Sequence, residues 1–455
     1  MKNGKRSSFS GKLGYVLAAA GASVGLGNIW RFPYLAAKYG GGIFLIIYIV
    51  LALTFGYTMI VAETAIGRMT RKSPVGAFKS FGKKKWLSFG GWINAVIPVL
   101  IVPYYSVIGG WVIKYLVEYF RGNAKLLAED GYFTDFISNG VSTELCFVAF
   151  CAFTLIIIFD GVQNGIERVS KIMMPILIVL SVIIAVYSVT RPGALAGVKY
   201  FLVPNVKNFS WMTVVSAMGQ MFYSLSIAMG ILITFGSYMK KDTAIEDSTR
   251  NVEIFDTGIA IMAGLMIIPA VFAFSGGDPD TLQAGPSLMF ITIPKVFQNM
   301  GFGTVIGIVF FLLVLFAAVT SSIALTESAV STFEDELGWG RKKATVLVGV
   351  IMLALGSLSS LGYGPLAGIK IIGMQFLDLF DFLTNSVMMP IAALLTSLFV
   401  SRVVGIDKIE AEIIHGESAF RRKKVFVVMI KYLCPVFAII ILLSSVANAL
   451  GWIKM

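Results

Sequence analysis

The chain has 455 residues, of which 57% are hydrophobic and only 14% charged, against roughly 25% charged in a soluble chain. No soluble fold could cover that much apolar surface, so the composition places the chain in a membrane with many crossings. The net charge of +12 does not point to nucleic acid: Lys83-Lys84-Lys85 and Arg421-Arg422-Lys423-Lys424 fall in loops on one side, as do most other Lys and Arg, which is a topology signal.

Eleven apolar stretches are long enough to cross a bilayer. They are predicted over 12–37, 42–69, 90–120, 144–159, 166–189, 211–238, 252–274, 303–333, 344–361, 373–400 and 425–451. The charge bias puts the amino terminus in the cytoplasm of a multi-pass cell-membrane protein, and an odd count puts the carboxyl terminus outside. The first stretch is too long for a cleavable leader and lacks a small-residue cleavage site. Segment 121–143 reads as a polar outer loop. Ser275-Gly276-Gly277-Asp278-Pro279 opens an outer segment that rises into a re-entrant or cap helix over 287–300, and 405–424 reads as a polar, partly helical cytoplasmic stretch. Cys146, Cys151 and Cys434 have no metal-ligand spacing, and His415, the single histidine, lies in a loop, so no histidine-based metal site or relay is expected in the membrane.

The first stretch is cut by glycine at Gly21-Ala22-Ser23-Val24-Gly25-Leu26-Gly27-Asn28, directly before Arg31-Phe32-Pro33. Lipid offers nothing to a bare peptide N–H or C=O, so a broken span must line a polar cavity. The sixth stretch carries a second weak point, Gly219-Gln220-Met221-Phe222-Tyr223-Ser224-Leu225-Ser226, followed by Gly230. Spans one and six are corresponding members of two five-helix sets, and paired breaks there predict an inverted-repeat transporter with its site at the bilayer midplane. A single glycine in such a helix equally serves close packing.

The charges within spans that stand out are Arg31, Glu63, Asp256, Asp378, Asp381 and Glu327. Arg31 and Asp381 are expected near one mouth, either as a gate or snorkelling separately. A buried Asp256 needs a cation, a proton or an arginine, and with Asn28, Ser224 and freed carbonyls it makes an oxygen shell that suits Na+. Thr320-Ser321-Ser322 offers hydroxyls to a neighbour or back to its own helix. Tyr104-Tyr105, after Pro103, places one buried phenol in need of a partner.

Together with Lys38-Tyr39-Gly40-Gly41-Gly42 and Phe333-Glu334-Asp335-Glu336-Leu337, these motifs resemble the neurotransmitter:sodium symporter family over nearly the whole chain. The resemblance implies an all-α LeuT-type 5+5 inverted repeat with helices 1 and 6 broken: repeats over 1–195 and 196–403, then a loop and helix 11 over 404–455. It implies two Na+ sites, the first from the Ser23 carbonyl, Asn28, Ser224 and Asp256, the second from carbonyls of Gly21, Val24 and Ala317 with hydroxyls of Thr320 and Ser321. The substrate would lie among Ala22, Ser23, Leu26, Gly27, Ile101, Tyr105, Tyr223, Ser224, Ser226, Met229, Ser321 and Leu325. Its carboxylate would meet the Leu26 and Gly27 amides and Tyr105, which suits an exposed helix amino end. Arg31 and Asp381 would form the outer gate with Gln220 beside it. Arg6 and Asp335 would form the inner gate near Tyr238, and Glu63 would brace the unwound part of span six.

Gly25, where amine-carrying members have an acid, implies an amino-acid carrier, and the apolar lining favours a neutral hydrophobic or aromatic substrate. Asp256 replaces the usual asparagine and Ala260 the serine of chloride-dependent members, so the resemblance implies transport without chloride. Phe9 replaces a frequent tryptophan, implying a looser inner closure. The implied partners are a neutral amino acid and the bilayer, with no nucleic acid, no set oligomeric state and no enzymatic chemistry. The alternatives are an amino-acid sensor of the same fold, a carrier of another small zwitterion, or a channel, which would need a continuous polar pore instead of two gates.

Overall fold

The structure is a computed structural model that describes residues 6–82, 84–276, 285–449 and 452. Among them, regular structure is helical, with only isolated bridges at Gly41–Pro204 and Ile371–Met374. Among the described residues, nine unbroken helices are long and apolar enough to cross a membrane: Gly42–Thr70, Lys85–Phe120, Gly140–Phe159, Val162–Val189, Ile245–Ser275, Gly303–Leu337, Arg341–Leu361, Phe376–Val404 and Lys423–Asn448. A bent pair, Lys12–Ser23 and Gly27–Lys38, turns by 54° at its break and forms span 1. A second interrupted pair, Trp211–Ser224 and Ile231–Tyr238, forms span 6. In chain order these make eleven, as the hydropathy pattern predicts.

Several helices start earlier or end later than hydropathy suggests. Span 3 begins at Lys85 and span 7 at Ile245, and span 8 runs on to Leu337. Polar turns that continue a helix past the hydrocarbon carry no apolar signal, so the sequence reading stops short. Pro103 leaves helix Lys85–Phe120 unbroken. The segment after span 7 is helical over Leu288–Thr292 and Ile293–Asn299, in place of the expected 287–300. The Gly277-Asp278-Pro279 turn expected before it, and Lys83, lie outside the described residues. Loop 121–143 holds two short helices, Ala124–Leu127 and Tyr132–Ser138, and the 405–424 stretch holds Ile406–Ile413.

Spans 1, 3, 6, 7 and 8 form the centre, and spans 4, 5, 9 and 11 leave more of their surface to lipid. Span 2 meets the second half of span 6 through glycine. A Cβ on Gly67 would stand 2.0 Å from the Ile233 carbonyl oxygen, and one on Gly236 would stand 2.4 Å from that of Thr64. The backbones touch because neither helix carries a side chain there, the close approach that small residues permit in lipid. Span 1 meets span 8 less closely, against a side chain: a Cβ on Gly21 would stand 3.1 Å from Thr320 Cβ.

Gly67→Ala forces backbone apart in a packed core, where overpacking costs about 1–3 kcal/mol. A thermal melt of the detergent-solubilised variant should fall by several degrees, whereas Gly258→Ala, where a Cβ would meet nothing within 4 Å, should leave it unchanged.

Candidate functional site

The two breaks face each other. Span 1 leaves the helical path at Val24 (φ −76°, ψ 91°), and the Val24 amide still donates to the Ala20 carbonyl at 2.7 Å. Span 6 unwinds between Ser224 and Ile231, with Ser226 at φ 52°, Ala228 at 58° and Gly230 at 69°. Left-handed backbone at a serine and an alanine costs roughly 1–3 kcal/mol each, so neighbours must hold it in place. Glu63, fully buried on span 2, accepts from the Ala228 amide at 2.8 Å. This is the bracing role the resemblance implies. Ser226 Oγ crosses to the Ala22 carbonyl at 2.9 Å, and Ser321 Oγ reaches the carbonyls of Gly21, Ala22 and Val24 at 3.2–3.3 Å.

A chamber of about 30 Å³ lies between the breaks, room for about two waters. It is lined by Ala22, Ser23, Gly25, Leu26, Gly27, Asn28, Ile101, Tyr105, Tyr223, Ser226, Met229, Ser321 and Leu325. These include every residue expected around a substrate except Ser224, whose hydroxyl turns away to Asp256 at 2.8 Å. A carboxylate outcompetes an open chamber for a hydroxyl donor. The Leu26 amide donates to the Tyr105 oxygen at 3.3 Å, and the Tyr223 ring lies against Gly27, where a Cβ would sit 2.3 Å from it. Ser23 Oγ is buried and has no hydrogen-bond partner among the described residues.

Asp256 is fully buried. Its Oδ1 accepts from Asn28 Nδ2 and Ser224 Oγ, each at 2.8 Å, and its Oδ2 accepts from the Tyr48 hydroxyl at 2.8 Å. Three neutral donors surround a carboxylate that has no cationic side chain against it among the described residues. Tyr48 is a partner that sequence reasoning missed, because a tyrosine in an apolar helix gives no sign of what its hydroxyl meets. In the expected second sodium site Gly21, Val24, Ala317, Thr320 and Ser321 are brought together. Thr320 Oγ bonds back to Phe316 and Ala317 at 3.0 and 3.2 Å, so of the two hydroxyls only that of Ser321 bridges to span 1.

The two faces of the molecule differ. On the amino-terminal face Arg6 pairs with Asp335, donates to Ser237 Oγ at 2.9 Å, and lies 5.0 Å from the centre of the Tyr238 ring. Tyr238 donates to Glu327 at 2.7 Å, and Glu327 is paired with Arg341 at 2.6 Å. Phe9 packs edge-on against Tyr15, Phe235 and Tyr238. This face is shut. On the opposite face a cavity of about 510 Å³ descends to Tyr223, lined by Arg31, Tyr104, Val215, Asp378 and Asp381 among others.

The Arg31–Asp381 gate is not formed among the described residues. Arg31 lies 5.4 Å from the centre of the Tyr223 ring, while Asp381 accepts from Asn385 Nδ2 at 2.6 Å and from Tyr104 at 3.3 Å. Both residues line the open cavity, and each charge takes a nearer partner there. Gln220 is also drawn elsewhere, donating to the Gly27 carbonyl at 3.0 Å. Buried Arg68 escapes sequence reasoning altogether, since it reads as a flank of span 2. It donates to Glu412 at 2.7 Å and to the Thr243 carbonyl at 2.5 Å.

A helical membrane bundle with two facing breaks, a chamber between them, one mouth shut and the other open has the architecture of an alternating-access carrier. Residues 6–130 and 134–451 match the sodium:neurotransmitter symporter family. A sodium-dependent transporter of Bacillus subtilis, YhdH, is 34% identical over 98% of this chain and 99% of its own length. The sodium- and chloride-dependent GABA transporter 2 of Homo sapiens is 27% identical over 88% of this chain and 73% of its own. The crystal structure of MhsT in complex with L-phenylalanine superposes with a TM-score of 0.86 at 35% identity, covering 97% of this chain and all of that one. The chain therefore belongs to the sodium:neurotransmitter symporter family, has the LeuT-type fold, and is a multi-pass membrane protein of sodium-coupled symport.

Glu63→Ala would leave the Ala228 amide unpartnered in a dry core, which costs about 1–3 kcal/mol. Melting temperature and sodium-driven uptake should both fall. Full uptake with an unchanged melt would mean that Glu63 does not brace the break.

Proposed function

We propose that this protein imports a neutral hydrophobic or aromatic L-amino acid together with Na+, with its amino terminus in the cytoplasm. The observation that carries this reading is Gly25. A Cβ there would stand 2.7 Å from Ser321 Oγ and 3.1 Å from the Tyr105 hydroxyl, so only glycine leaves space beside the Leu26 and Gly27 amides for a carboxylate. Ile101, Met229 and Leu325 supply an apolar wall for a side chain, and methionine adapts to varied shapes. The L-phenylalanine held by MhsT supports the same class. The chamber is smaller than such a substrate, so loading requires the Tyr223 ring to move off Gly27.

Na+ would be held in two places: the first by the Ser23 carbonyl, Asn28, Ser224 and Asp256, the second by the Gly21, Val24 and Ala317 carbonyls with Thr320 and Ser321. Hard cations favour such oxygen sets. The Asp256 carboxylate supplies a fixed negative charge beside the first ion, so transport needs no chloride. The shut Arg6–Asp335 mouth and the open opposite cavity are the arrangement that admits substrate from outside. Closure then requires Arg31 and Asp381 to meet.

Proteoliposome uptake of a labelled amino-acid panel, with and without an inward Na+ gradient, tests the reading. Accumulation of phenylalanine-like or leucine-like substrates only with the gradient is expected. Binding without accumulation would make the protein a sensor, and accumulation of a different zwitterion would move the substrate class. Asp256→Asn should make uptake require chloride or abolish it. Unchanged uptake in chloride-free buffer would remove Asp256 from the charge balance.

A further inference from the structure

Tyr104 and Tyr105 are consecutive on span 3 but serve different chambers. Successive side chains on a helix point about 100° apart. Tyr105 lines the central chamber and Tyr104 the large cavity above it. Tyr104 is 1% exposed, yet its hydroxyl reaches Asp381 Oδ1 and Thr384 Oγ1, each at 3.3 Å, and accepts from Asn385 Nδ2 at 3.2 Å. Asn385, one turn beyond Asp381 on span 10, donates to the same Oδ1 at 2.6 Å. Thr384 Oγ donates to the Phe380 carbonyl at 2.7 Å, so it can only accept from Tyr104 and shares the single Tyr104 proton with Asp381. Asp381 is thus occupied from two sides while Arg31 rests over Tyr223.

We propose that Tyr104 and Asn385 are positioning residues that hold Asp381 in its open-gate place, so that gate closure is an exchange of partners and not a simple approach of two charges. This rests on the carrier reading above, and it adds a restraint to the gate. Hydrogen bonds to a charged group are stronger than neutral ones. Each one that Asp381 keeps while the gate is open shifts the population away from the closed arrangement, because a contact present in one state alone biases the equilibrium by its own free energy. The position of Tyr104 next to Tyr105 gives the restraint a trigger: a ligand carboxylate that pulls on Tyr105 also moves the turn of helix that holds Asp381.

The test is a gate-accessibility measurement that needs no substrate. Val215, half-buried on the cavity wall, is replaced by cysteine, and its labelling by a membrane-impermeant thiol reagent is timed in Na+ proteoliposomes. Tyr104→Phe should slow labelling by roughly three- to tenfold and tighten binding of the transported amino acid by a similar factor. Asn385→Leu, which frees Asp381 from the other side, should do the same. In an Asp381→Asn background Tyr104→Phe should have no further effect, an epistasis that a purely structural tyrosine would not show. Unchanged or faster labelling in both Tyr104→Phe and Asn385→Leu, or an equal effect with and without Asp381, would overturn the proposal. If no amino acid binds at all the substrate reading fails, while the labelling rates still report on the restraint.

Discussion

The whole arrangement depends on one constraint: peptide groups laid bare inside lipid must find partners within the protein. Two helices give up their internal ladders at Val24 and between Ser224 and Ile231, and the deficit is met by a handful of side chains. Glu63 takes the Ala228 amide, Ser226 takes the Ala22 carbonyl, and Ser321 touches three carbonyls of span 1. Those partners come from spans 2, 6 and 8, so the breaks are also where separate helices are tied together. Each tie is a neutral or charged hydrogen bond in a dry setting, where an unmade bond is far costlier than a made one is favourable.

That tie also explains why the chamber is so small here. The hydroxyls of Ser226 and Ser321 and the Tyr223 ring fill the space around the bared backbone groups. Closure at the amino-terminal face is of a different kind, made from an ion pair, a buried phenol and a packed phenylalanine. Phe9 fills its place there with three edge-on ring contacts.

Much of this was legible in the sequence, for a physical reason. Helix breaks in an apolar segment and isolated charges at membrane depth are conspicuous because lipid tolerates so few of them, and Gly21 to Asn28, Ser226, Glu63 and Asp256 all stood out on that ground. The finer roles of Ile101, Met229, Leu325 and Ser321 came from the family resemblance and not from any pattern in the residues themselves. What stayed hidden was of two sorts. Tyr48 and Tyr104 act through partners far away in the chain, and nothing local marks which hydroxyl will be used. The early turns of spans 3 and 7 sit where helix continues past the hydrocarbon, and hydropathy is blind there; Arg68, near the end of the second stretch, carries no local sign of its partners. Arg31 and Asp381 both line the open cavity, and which partner each takes there cannot be read from local sequence.

The reciprocal glycine contact between span 2 and the second half of span 6 has a mechanical consequence. Two backbones in direct touch at Gly67 and Gly236 cannot slide or roll against each other without a steric collision. They must travel as one body, so a covalent tether between these two helices would leave the conformational cycle running.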